Sequence, residues 1–188
     1  MTSSRPSMQR ISVPPPIQPK SRALAYGFVS LMVLLGVAAA YKLGPKAYNA
    51  VRLRELSGRV VYDQQVDPAS ALAAAQEQAR RDGRNVLVVL GGNWCQWCLA
   101  LDDLMRENEE IRTLLSRNYV VVKLDSARAK ALDDAWGQPT RLGVPVMVFL
   151  DDEGKPKHVQ ETVSLERWAG KILAHDPDRV LLILKQWA

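Results

Sequence analysis

Residues 91–105, GGNWCQWCLALDDLM, hold both cysteines of a 188-residue chain. The run before them, residues 85–90 (NVLVVL), is continuously apolar, as a strand buried on both faces must be. Gly91 and Gly92 turn it, and a helix follows from Cys95. Its apolar positions are Leu99, Leu101, Leu104 and Met105, which leaves Asp102 and Asp103 to be read as a solvated face. Cys95 therefore stands where a strand hands over to a helix N-terminus. The unpaired N–H groups there, and the positive end of the helix dipole, favour a thiolate. Cys98 lies in the same first turn, close enough to close a Cys95–Cys98 disulfide. A thiolate that attacks a foreign disulfide needs a second thiol to resolve the mixed disulfide, and this spacing supplies it. Gln96 and Trp97 between the two add no positive charge.

Other uses of the two thiols are weaker. Zinc takes about four ligands, and beyond the cysteines only His158 and His175 offer imidazole. Copper held by Cys95, Cys98 and a histidine stays open as an alternative. A structural bridge across so short a loop stabilises little. The expectation is a redox pair with no resident metal or other cofactor. Trp97 is read as a substrate contact or as a cover over the sulfur, and His158 and His175 receive no role.

Outward from this centre the pattern alternates. Asp67 and Pro68 read as N-cap and first residue of an alanine-rich helix ending near Gly83. Asn108 caps a second helical segment after the cysteines. Residues 119–124 (YVVVKL) and 145–150 (PVMVFL) are strands, with a polar crossover at 126–143, and DDEGK turns the latter into a hairpin towards His158 and Val159. Residues 164–175 (SLERWAGKILAH) and 176–187 (DPDRVLLILKQW) read as two further helices. The order gives an α/β domain, a central mixed sheet flanked by helices.

The formal charge of +5 is unevenly spread. Residues 1–22 carry four basic side chains and no acid, residues 42–59 carry five against Glu55, and residues 60–188 carry 16 basic and 19 acidic. A nucleic-acid-binding domain should itself hold the basic excess; this one does not, and no nucleic-acid partner is expected. Between the basic stretches lie residues 23–41 (ALAYGFVSLMVLLGVAAAY), 19 residues without a charge. As a helix rising ~1.5 Å per residue they approach the ~30 Å of a bilayer core. The expected organisation is a basic Pro-rich tail (1–22), a transmembrane anchor (23–41), a basic linker (42–58) and a globular domain (59–188). The tail is read as cytoplasmic, with the large C-terminal part exported and tethered by a single pass. Cleavage as a signal peptide near Ala40 is the alternative.

Over residues 60–188 the chain resembles the thioredoxin superfamily. The likeness rests on the buried strand followed by WCQWC and on GVPVMVFLDDEGK some 50 residues later. It implies a thioredoxin-like fold in which Pro145 is cis and faces the disulfide, while the backbone of Val144 pairs with a substrate strand. It also implies an enzyme, a thiol–disulfide oxidoreductase acting on protein disulfides of the envelope and recharged by a separate redox partner. Trp94, Gln96, Trp97, Val144 and Pro145 form the expected substrate-binding set. A non-catalytic module holding a partner protein or copper is the alternative. The GGNWC approach looks most like membrane-anchored bacterial members, which implies a bacterial inner membrane with the domain in the periplasm. The chain departs from thioredoxin itself in carrying Gln96–Trp97 between the cysteines, and in having Val89 where a buried aspartate is usual. The lysine that pairs with that aspartate aligns near Val121. With no base at Val89, Cys98 is expected to resolve slowly near neutral pH.

Overall fold

The structure, a computed structural model, describes residues 22–188, the side chains of 22–25 and 27–29 excepted. The tail assigned to 1–22 lies, but for Arg22, outside the described residues. Helix α1 is Arg22–Leu56. Two compact units divide the chain, one ending at Tyr41 and the other running from Lys42 to Ala188. In the first, Leu31, Met32, Val33, Leu34, Leu35 and Val37 are exposed. Among the described residues no helix is long and apolar enough to cross a membrane. Six residues of the expected anchor, 23–25 and 27–29, have side chains outside that description.

The second unit is built in layers around β1 (Asn85–Gly91), β2 (Tyr119–Asp125), β3 (Val146–Leu150) and β4 (Pro156–Glu161), in the order β2-β1-β3-β4. β1 is parallel to β2 and antiparallel to β3, and β3 is antiparallel to β4. Because side chains alternate across a strand, both faces of β1 are core. Val86, Val88 and Leu90 meet Leu72, Ala75 and Ala79 of α2 (Pro68–Asp82). Leu87 and Val89 share the opposite core with α3 (Gln96–Glu107), α4 (Glu109–Asn118) and α6 (Pro177–Gln186), through Leu101, Ile111 and Leu184 among others. The short α5 (Lys130–Ala135) lies in the crossover. The caps follow the sequence: the Asp67 carboxylate accepts from Ser70 N, Asn108 from Ile111 N, and Asp176 from Asp178 N and Arg179 N.

Two expectations need correction. Residues 164–175 are not a helix. Trp168, Ala169 and Gly170 all have positive φ, and Leu165 and Leu173 are buried in different cores, so no single helical face serves both. Asn49 of α1 binds this loop instead, accepting from Leu173 N at 2.7 Å and donating to Lys171 O at 3.2 Å. The stretch read as a linker, 42–58, packs on the domain for the same reason. Leu56 is buried, and with Leu53 it meets Leu99, Ala100 and Leu173.

Candidate active site

The site lies at the C-terminal end of β1, where the central strand delivers its chain to the start of α3. Cys95 is the N-cap of α3, and its sulfur accepts from Cys98 N at 3.1 Å. The two sulfurs are bonded to each other. Cys98 is wholly enclosed, while Cys95 keeps a narrow opening to solvent (0% and 7% exposed). Cys95 Sγ lies 3.5 Å from the carbonyl oxygen of Val144, and the Val144–Pro145 bond is cis. Trp94 is exposed, as is Gln96, and Trp97 is half-buried. Of the residues named from sequence as substrate-binding, Trp97 and Val144 pack beside the two sulfurs, and Pro145 is itself buried, its carbonyl accepting from Thr162 Oγ1 at 2.6 Å.

Trp97 meets His175 edge to face, ring centroids 5.6 Å apart. Burial pushes the His175 imidazole down to about 4. His158 is stacked on Trp187, at 4.3 Å. Among the described residues no group of three or more His, Cys, Asp or Glu side chains could hold a metal ion.

Asp102 and Asp103 are not a solvated face; both are buried. Asp103 pairs with Arg52 at 2.7 Å, with Arg106 and with Arg59; Asp102 pairs with Arg59 and with Lys123. Burial alone would raise the Asp103 carboxyl, but the Arg106 hydrogen bond and the charges of Arg59 and Arg52 outweigh it and hold the group below the usual carboxylate range. The basic excess of 42–59 is thereby partly spent inside the domain. Lys123, two residues beyond Val121, stands directly opposite Val89 in the β1–β2 register. Its partner is a carboxylate on α3, one helical turn beyond Cys98, instead of one on β1.

Sequence reasoning missed two residues at the sulfurs. Tyr62 packs on Cys95 and Cys98 and is 1% exposed. Asn93 fixes it: its Oδ1 accepts from Val61 N (2.8 Å) and Tyr62 N (2.9 Å), and its Nδ2 donates to Tyr62 O (2.8 Å). The two residues are 31 positions apart, and nothing local in VYDQQ marks Tyr62. The one available signal was the asparagine in GGNWC, a polar residue in a turn between two buried elements.

Residues 67–152 match a family model described as Thioredoxin-like. The chain is 31% identical over 62 residues to spermatogenesis-associated protein 20 of Homo sapiens, covering 33% of this chain and 8% of that protein. It is 25% identical over 92 residues to disulfide bond reductase DsbH of Chlamydia pneumoniae, covering 44% of this chain and 55% of that protein. The match therefore spans less than two thirds of either relative. Among solved structures, a disulphide isomerase from Xylella fastidiosa Temecula1 superposes with a TM-score of 0.55 at 25% identity, over 69% of this chain and 98% of the other. The matched segment carries β1, the cysteine pair and β3 in the strand order described above, and the domain that contains it has a thioredoxin-like fold.

Proposed function

We propose that the chain is a membrane-tethered thiol–disulfide oxidoreductase that reduces or exchanges disulfides of envelope proteins through Cys95 and Cys98. The observation that carries this is the placement of the pair: a disulfide on a helix N-terminus, with only Cys95 reaching solvent. The disulfide reductase and disulphide isomerase among its relatives support the same chemistry. In the reducing direction the Cys95 thiolate attacks one sulfur of a substrate disulfide and expels the other as a thiolate. Cys98 then loses its proton and attacks Cys95 Sγ. The substrate leaves as a second thiolate, and Cys95–Cys98 is left oxidised for a redox partner to reduce. Trp94, Gln96 and Trp97 contact the substrate, whose backbone pairs with Val144 beside Pro145.

Trapping tests the division of roles. Cys98→Ser in the full chain should accumulate mixed disulfides with envelope proteins, and Cys95→Ser should not. The opposite pattern overturns the assignment.

The tether is residues 23–41 in a bacterial inner membrane, with the domain in the periplasm. A charge-free segment between basic flanks, helical from Arg22 and bearing exposed apolar side chains, supports it. Alkaline phosphatase fused after Ala188 should be active, and the protein should resist carbonate extraction. A soluble mature form beginning near Tyr41 shows cleavage instead.

A further inference from the structure

Resolution requires the most buried thiol in the domain to become a thiolate, and burial opposes that charge. A Cβ placed on Gly91 would lie 2.5 Å from the Tyr62 hydroxyl oxygen and 2.9 Å from Cys98 Sγ. The phenol and the buried sulfur therefore flank the same bare backbone position, which only glycine leaves open to both. Tyr62 comes from outside the segment that matches the family model, and Asn93, from within the cysteine loop itself, holds its backbone by two hydrogen bonds and that of Val61 by a third.

We propose that Tyr62 is a catalytic residue of the resolving step, its hydroxyl donating a hydrogen bond to the Cys98 thiolate as the disulfide opens or re-forms. The inference rests on the oxidoreductase reading. Cys98 gives its proton to water or buffer base, and Tyr62 keeps its own. The thiolate then forms the bond to Cys95 Sγ as the Cys95–substrate bond breaks, and the departing substrate thiolate takes up a proton from solvent. Burial, and secondarily the charge of Asp102, hold the Tyr62 phenol above its ordinary range, so it remains a donor across the working pH. A hydrogen bond to a charged group is worth about 1.5–3 kcal/mol, which converts to roughly one to two units in the thiol's pKa.

The test uses the reduced full chain in detergent and 5,5′-dithiobis(2-nitrobenzoate). Attack by Cys95 releases one thionitrobenzoate, and resolution by Cys98 releases a second. Tyr62→Phe keeps the ring and its packing. The expected result is an unchanged first release, a second release about tenfold slower at neutral pH, and a pH inflection of the second release displaced upward by about one unit. An unchanged second release in Tyr62→Phe overturns the inference and leaves the oxidoreductase reading standing. Slowing in Asp102→Asn but not in Tyr62→Phe also overturns it, assigning the role to the Asp102–Lys123 pair. If wild type gives no second release, the oxidoreductase reading falls and this assignment with it.

Discussion

Arg59 shows how much of the site hangs on single side chains. It spans Asp102 and Asp103 at once, and both acids are buried. Breaking a buried pair costs about 3–5 kcal/mol because it strands a charge. Arg59 is itself a quarter exposed and Lys123, Arg52 and Arg106 remain, so Arg59→Met should destabilise the domain by about 2–3 kcal/mol in urea. A loss below ~0.5 kcal/mol would mean the pairs are solvent-screened. At this scale the local arrangement of Cys95 and Cys98 is legible in the sequence, because strand, turn and helix are consecutive. The sequence was misread at Asp102 and Asp103. Their cationic partner Arg59 lies 43 and 44 residues away, and helical periodicity alone assigns adjacent acids to water. Tyr62 was illegible for the same reason, since contact with the sulfurs is made by the fold and not by spacing.

Among the elements, the strands and most helices were legible because each carries its own period and cap. Segment 164–175 was not: its apolar residues mimic a helical stripe, but three successive left-handed residues and the bonds from Asn49 make it a loop. That loop ends on His175, which is 2% exposed and whose two ring nitrogens have no hydrogen-bond partner among the described residues. With a folded pKa of about 4 against about 6.5 unfolded, the unfolded chain binds the proton first as pH falls. Stability from this group is complete above pH ~6.5, declines as pH drops towards ~4, and levels off below, a change of about 3 kcal/mol. His175→Phe should remove that dependence, so that variant and wild type diverge progressively below pH ~6 in urea titrations. Parallel curves between pH 7 and pH 4 would mean the imidazole finds water or a partner in the folded state.

For the molecule as a whole, the mixed sheet places the end of its central strand β1 beside the start of β3, so that Cys95 faces Val144. The charge asymmetry visible in the sequence has two meanings here. Arg52 and Arg59 tie the 42–59 stretch onto the domain, while the basic residues nearer the apolar segment are left for the proposed membrane boundary. The central claim is that Cys95 and Cys98 form a working two-electron couple and not a closed staple. Equilibration of the full chain against glutathione and dithiothreitol buffers, with the redox state read by thiol alkylation, tests it most directly. The account predicts a single reversible transition with a slope of about 30 mV per tenfold change, absent in both Cys95→Ser and Cys98→Ser. A disulfide that stays closed throughout that range, or thiols that never re-form it, would contradict the account.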